Sequence, residues 1–183
     1  MELPVTYYDP TEYFDTTTGN KISRRSLVRG SQNIVLNGKC IIFPGAVVRG
    51  ELASVKMGKY TIIKEDVILR PTYRRYKGQL KYFTLHIGEH VFIDQNSIIC
   101  ASKIGNNVHI GKNCIISHRC VLHDNCRILD DSILSMDSEV PPFTVYGGKP
   151  ALYEADLPES TPFVMKELTT EYYSKFVPRR PDS

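Results

Sequence analysis

Aliphatic residues recur every six positions through the second half of the chain: Ile104, Ile110, Ile116, Leu122, Ile128, Leu134 and Val140. Four places after each stands a mostly small residue: Val108, Cys114, Cys120, Cys126, Ser132, Ser138 and Thr144. A period of six fits neither a helix nor a simple alternating strand; it marks a parallel β-helix built from hexapeptides. The same register runs backward in triplets: Leu36, Ile42 and Val48, then Met57, Ile63 and Leu69, then Ile87, Ile93 and Ile99. Every slip of register follows a third hexad, after Val48, Leu69 and Ile99. With three hexads to a coil, these irregularities all fall at one corner, which predicts a triangular cross-section. About six coils at a strand spacing of ~4.8 Å give a prism on the order of 29 Å long. Backbone hydrogen bonds run between coils, so no coil is stable alone.

The expected fold is all-β, a hexapeptide β-helix with one helix on its side, within a single domain spanning 1–183. Residues 1–21 are tyrosine-rich and irregular, and are expected to be extended. The β-helix covers 22–146. Val140-Pro141-Pro142 ends it, because proline cannot donate to a further ladder. A connector over 147–161 leads to Ser160-Thr161-Pro162, which reads as a helix cap followed by proline in the first turn. The helix is expected over 162–177. Val164, Leu168 and Tyr172 share one stripe; Met165, Thr169 and Phe176 form a less regular one. A lone amphipathic helix of this length needs a surface, and the side of the prism supplies it. Residues 179–183 are expected to fray.

Composition narrows the function classes. Basic residues exceed acidic ones by only 23 to 20, so the +3 charge does not point to nucleic acid. No apolar run nears the ~18 residues of a membrane span, and the amino terminus lacks a secretory pattern. A cytoplasmic protein is the expectation. Cys114, Cys120 and Cys126 occupy the small inward position on three faces, and Cys40 does so in the first triplet. With no CxxC pair, the cysteines read as free, buried and apolar in role. His86, His90, His109, His118 and His123 never share a hexad position on one face in neighbouring coils. They read as surface or turn residues, with a site assembled between subunits left open.

The insertion over 70–83 combines Arg70, Arg74, Arg75, Lys77 and Lys81 with Tyr73, Tyr76, Tyr82 and Phe83, and holds no acid. It reads either as a solvated loop or as a partner-binding loop, since Arg and Tyr dominate contact energy at interfaces. The candidate contacts are Arg70, Tyr73, Arg74, Arg75, Tyr76 and Lys77. Single-stranded nucleic acid favours the same residue types, but the weak net charge argues against it. Arg24, Arg25 and Arg29 form a second basic cluster.

Val47-Val48-Arg49-Gly50-Glu51, Met57-Gly58, Ile87-Gly88-Glu89, Ile104-Gly105, Val140-Pro141-Pro142 and Gly148-Lys149-Pro150-Ala151 resemble the γ-class carbonic anhydrase branch of left-handed β-helix proteins. The left hand is what this resemblance implies. That family holds zinc through three histidines, which generate a hydroxide. The three positions fall here on Arg70, Gln95 and Cys100. The family's Arg-Gly-Asp becomes Arg49-Gly50-Glu51, and its Gln-Asp pair becomes Lys64-Glu65. A guanidinium, an amide and a thiol do not replace three imidazoles, so no metal and no other cofactor is expected.

A closer resemblance covers nearly the whole chain. Gly19-Asn20-Lys21-Ile22-Ser23-Arg24, Gly30-Ser31-Gln32-Asn33-Ile34-Val35-Leu36-Asn37-Gly38-Lys39, Val108-His109-Ile110-Gly111-Lys112-Asn113-Cys114 and Tyr172-Tyr173-Ser174-Lys175-Phe176 are similar to the dynactin subunit 5 family. This implies a non-catalytic subunit of the dynactin pointed-end complex, cytoplasmic and cytoskeleton-associated, supporting dynein-driven transport on microtubules. The implied partners are dynactin subunit 6 (a second β-helix), the actin-related pointed-end subunit, dynactin subunit 4 and dynein cargo adaptors. Membranes would be engaged only indirectly. Two enzymatic readings stand beside it. A γ-class carbonic anhydrase-like metalloenzyme would need histidines facing across a homotrimer, and a hexapeptide acyltransferase would need an interface histidine and an acyl donor such as coenzyme A. The coil ends carry unpaired strands that a partner prism could cover, and the rigid faces offer flat docking surfaces.

Overall fold

A computed structural model describes residues 2–181. Three parallel sheets form the sides of a triangular prism. The first contains Lys21–Ser23, Ile41–Ile42, Ile62–Ile63, Phe92–Ile93, His109–Ile110, Arg127–Ile128 and Thr144–Gly148. The second contains Leu27–Arg29, Val47–Arg49, Ile68–Leu69, Ile98–Ile99, Ile115–Ile116 and Ile133–Leu134. The third contains Ile34–Leu36, Val55–Met57, Leu85–Ile87, Lys103–Ile104, Val121–Leu122 and Glu139–Val140. The aliphatic hexad residues point inward and stack, Ile63 on Ile93 and Ile99 on Ile116. They form one continuous buried core with the small residues between them.

The corners explain the polar part of the repeat. Tyr60, His90, Asn107 and Asn125 stack at one corner, with φ of 58°, 55°, 58° and 61°. Asp66, Asn96, Asn113 and Asp131 do the same at the next corner. Asn and Asp visit this left-handed region more readily than other non-glycine residues. Gly88 and Gly105 answer a different demand. A Cβ on either would lie 2.3 Å from the side-chain oxygen of Asn106 or Asp124 in the next coil. Those oxygens accept the N–H groups of Glu89 and Asn106 at 2.8 and 2.7 Å. The third corner, between the second and third sheets, carries all the register slips, and the 70–84 insertion leaves the prism there.

All five cysteines are free and buried. Burial pushes the Cys40 and Cys120 thiols up to about 11 and that of Cys126 up to about 12. The thiols act as small neutral donors; Cys114 Sγ and Cys120 Sγ each donate to a carbonyl of the next coil, Leu129 O and Ser135 O, at 3.1 Å.

The ends of the chain hold more regular structure than the residue pattern suggests. Tyr13–Asp15 pairs antiparallel with Lys21–Ser23 and covers the first edge of the first sheet. Within the stretch read as a connector, Ala151–Asp156 folds back on Thr144–Gly148 and covers the last edge. The helix runs Thr161–Ser174 and does not reach residue 177. Phe176–Pro178 instead forms a parallel strand with Thr6–Tyr8. Pro178 cannot continue a helix, and Phe176, 2% exposed, stacks on Tyr8 at 4.4 Å. Arg179 N–H still donates to Tyr8 O at 2.7 Å, so the chain is tied down at that point. The expectation of fraying at residues 182–183 lies outside the described residues.

The helix lies on the first sheet, over the outward side chains of Ile41, Ile62 and Phe92. Its buried stripe is Thr161, Met165 and Thr169, with Leu168 and Tyr172 packed beside it. Val164 is 58% exposed, not buried as the stripe pattern suggests. Ser160 occupies the cap position but makes no side-chain capping bond. Polar pairs fix the helix in place: Lys64 Nζ donates to Tyr172 Oη, and His90 Nδ1 pairs with Thr169 Oγ1, each at 2.7 Å.

The same helix corrects the reading of His109 as a surface residue. Burial lowers its pKa to about 4; Arg127 acts in the same direction, against Asp94 and Asp130. A histidine with a depressed folded pKa contributes stability that is full above its unfolded value near 6.5 and is lost as pH falls toward 4. Urea unfolding at pH 7 and pH 4.5 should show a loss to which His109 contributes about 2 kcal/mol, absent in His109→Gln, while His90 and His118, whose pKa values burial also lowers, account for a remainder. An unchanged slope in the variant would assign the acid sensitivity elsewhere.

Candidate partner-binding surface

The 70–84 insertion is an ordered hairpin. Tyr73–Tyr76 pairs antiparallel with Gln79–Tyr82. Lys77 and Gly78 make the two-residue turn, with φ of 50° and 78°, the signature of a primed hairpin turn. Its base is pinned to the prism. Thr72 Oγ1 pairs with His118 Nδ1 at 3.0 Å and accepts from Arg119 N–H at 3.2 Å. Arg119 Nη1 donates to Tyr73 O at 3.0 Å while its Nε donates to Asp137 at 2.8 Å. The Arg119 guanidinium holds the Asp137 carboxyl below the usual carboxylate range. Tyr73 packs edge-on against Tyr82 and beside His118. Arg74, Arg75, Tyr76 and Lys77 are left exposed at the tip, Tyr76 by 68%.

Arg70 and Cys100 stack on adjacent coils, Arg70 N–H donating to Ile99 O and Cys100 N–H to Ile116 O. Burial raises the Cys100 thiol pKa and Arg70 lowers it in part. Arg70 Nε is buried without a partner among the described residues. Gln95 lies before the Ile98–Ile99 strand and Cys100 after it, so this amide sits at the opposite corner of the second face. A cation, a neutral thiol and a remote amide do not fit a divalent metal ion. Three metal-ligating side chains of the His, Cys, Asp or Glu type do not cluster anywhere among the described residues.

A further surface emerges from the outward residue of each strand. On the first face this row reads Lys21, Ile41, Ile62, Phe92, His109, Arg127, Val145, and the helix buries its apolar middle, Ile41, Ile62 and Phe92. On the third face it reads Val35, Lys56, His86, Lys103, Val121, Glu139, mixed and largely charged. On the second face it reads Leu27, Val47, Ile68, Ile98, Ile115, Ile133. Nothing in the described chain covers this row; Ile98 and Ile115 are 36% and 39% exposed. Six aliphatic rungs at ~4.8 Å make a flat ridge about 24 Å long. The residue pattern carried a signal for it. Paired aliphatics such as Ile98-Ile99 and Ile115-Ile116 place one side chain inside and one outside; on the second face such pairs run from Ile68-Leu69 to Ile133-Leu134 without a break, whereas on the third face Lys56, His86, Lys103 and Glu139 interrupt them.

The stacked triangular coils place the chain among the left-handed hexapeptide-repeat β-helix proteins. A hexapeptide transferase family protein from Anaplasma phagocytophilum superposes with a TM-score of 0.63 at 18% identity, over 86% of this chain and 90% of that one. A variant of AntD, an N-acyltransferase from Bacillus cereus in complex with dTDP and coenzyme A, gives a TM-score of 0.67 at 13% identity, over 82% and 88%. Likeness at such identities concerns the fold alone. The chain belongs to the dynactin subunit 5 family, whose model matches residues 1–181. Dynactin subunit 5 of Dictyostelium discoideum is 46% identical over 183 residues, all of this chain and 92% of that protein. Its role is accordingly that of a dynactin subunit. No described helix is long and apolar enough to cross a membrane.

Proposed function

We propose that the chain is a non-catalytic structural subunit of the dynactin pointed-end complex, supporting dynein-driven transport, and that its second face docks the other β-helix subunit, dynactin subunit 6. The observation that carries the docking is the uncovered aliphatic row from Leu27 to Ile133. Its rungs repeat at the strand spacing and carry no charge, so a second sheet face with the same spacing is its natural complement. The rigid prism keeps the ordering cost of such docking low.

The hairpin tip is the proposed contact for dynein cargo adaptors, with the actin-related pointed-end subunit and dynactin subunit 4 as neighbours in the assembly. Arg74, Arg75 and Tyr76 offer anchors held on a pinned base. Reversing Arg74→Glu and Arg75→Glu together should weaken adaptor recruitment by about tenfold and leave the melting temperature unchanged. Undiminished recruitment by a reconstituted complex would remove the hairpin from the adaptor surface.

Arg70, Gln95 and Cys100 support the non-catalytic reading. Elemental analysis of the purified chain should find no stoichiometric zinc, and CO2 hydration should stay at background. Acyl-CoA should leave thermal stability unchanged. Bound zinc with hydration activity, or stabilisation by acyl-CoA, would return the chain to the enzymes. The proposed setting is the cytoplasm, in association with the cytoskeleton.

A further inference from the structure

Between the hairpin and the third face runs an open groove of about 620 Å³, lined by Arg74 from the hairpin and by His86, Ser102 and Lys103 from the prism. No acidic residue lines it. Arg74, His86 and Lys103 make no ion pair and no side-chain hydrogen bond among the described residues. Both walls also set basic groups side by side. Arg74 is the register partner of Lys81, so the two side chains project from the same side of the hairpin. His86 is the register partner of Lys56 on one neighbouring coil and of Lys103 on the other. Like charges directly opposite each other are destabilising. The acids of the coil beyond offer no relief, because Asp137 is held by Arg119 and Glu139 by His123. Unpaired basic groups on two facing walls, with no carboxylate between them, are complemented by an anion.

The arrangement of the donors selects the kind of anion. Phosphate recognition converges several guanidinium forks on one group. Here the Arg119 fork is spent: Nε and Nη2 donate to Asp137, and Nη1 to Tyr73 O. Arg74 is left as the free fork in the lining, and lysine and histidine donate as single points. Donors strung along a groove at the strand spacing of ~4.8 Å match a series of carboxylates. A polynucleotide would need a longer basic track, and the chain's net charge is only +3.

We propose that this groove holds an extended segment of a partner polypeptide rich in glutamate or aspartate, its carboxylates meeting Arg74 on the hairpin wall and His86 and Lys103 on the prism wall. The inference rests on the reading of the hairpin as an adaptor contact and supplies the chemistry of that contact. The segment belongs to a partner that arrives at the assembled complex, so Lys103 stays open in the complex without it.

Fluorescence anisotropy of a labelled oligoglutamate peptide tests this on the full-length chain. The peptide should bind saturably and more weakly as salt rises. Lys103→Glu should weaken binding about tenfold at an unchanged melting temperature, since the residue is exposed. Lys112→Glu makes the same change of net charge at an exposed corner between the first and second faces, and should leave the affinity as it was. Inorganic phosphate and an oligothymidylate of equal charge should compete poorly. Failure of the peptide to saturate, equal weakening by Lys112→Glu, or tighter binding of phosphate or the oligothymidylate would overturn the proposal. Failure of the adaptor reading has a different signature. Peptide binding that responds to Lys103→Glu, with adaptor recruitment indifferent to Arg74→Glu and Arg75→Glu, supports the groove and removes the adaptor as its occupant.

Discussion

Cys120→Arg should leave no folded β-helix. Cys120 is fully buried at the small inward position of its hexad, and its thiol donates to Ser135 O of the next coil. The ordinary thiol is neutral here, because burial pushes its pKa up to about 11. A guanidinium cannot shed its charge in the same way. It would stand in a core of stacked aliphatics, too large for the space and without a carboxylate to meet it. An uncompensated buried charge costs about 3–5 kcal/mol, and overpacking adds about 1–3 kcal/mol. Together these approach the whole stability of a typical domain. The damage would not stay local, since each coil is held only by its neighbours. Circular dichroism and thermal melting should show no cooperative transition, whereas Cys120→Ala should melt within a few degrees of the parent. A Cys120→Arg variant melting like the parent would contradict the inward placement of the small hexad residues.

Ile98→Glu combined with Ile115→Glu should do the opposite, preserving the fold and destroying the assembly. Both side chains are on the outside of the prism and over a third exposed, so carboxylates there reach water. The two residues are register partners on neighbouring coils. Like charges directly opposite cost about 0.2–1 kcal/mol, which lowers the melting temperature only modestly. In a docked interface the same carboxylates would be buried without partners. Truncated or unpaired interfacial charges cost about 2–5 kcal/mol, so affinity for dynactin subunit 6 should fall by at least about a hundredfold. Size-exclusion chromatography of the two purified subunits would read this as loss of co-elution. Co-elution at parental strength would move the interface off the second face.

Much of this fold was legible in the residue pattern, because a solenoid repeats one local rule. Ile104 to Val140 fixed the hexad, and the slips after Val48, Leu69 and Ile99 fixed three faces. The elements that escaped depend on distant partners. Thr6–Tyr8 and Phe176–Pro178 are three-residue strands joined across nearly the whole chain, and neither has a periodicity of its own. Ala151–Asp156 follows two glycines and a proline, which read equally well as a connector. The hairpin carried one local sign, Lys77-Gly78, at a place where basic residues drew attention to charge. Val164 was assigned to the buried stripe because the spacing fits. Yet the helix meets its sheet through Met165 and Thr169, a rotation that only the shape of the Ile41, Ile62 and Phe92 row decides. The outward row of the second face was readable from its aliphatic pairs, but a period-six search registers one aliphatic per hexad and passes over the second.

The native thiols make a direct test of the docking face available. All five are buried, so a cysteine added at the surface is the only one open to a maleimide. Ile115→Cys places a reporter in the middle of the second-face row, and Lys103→Cys places one on the third face as a reference. In the isolated subunit both should label rapidly. In the assembled pointed-end complex Lys103→Cys should still label while Ile115→Cys is protected. Equal labelling of Ile115→Cys in the free and assembled subunit would contradict the account.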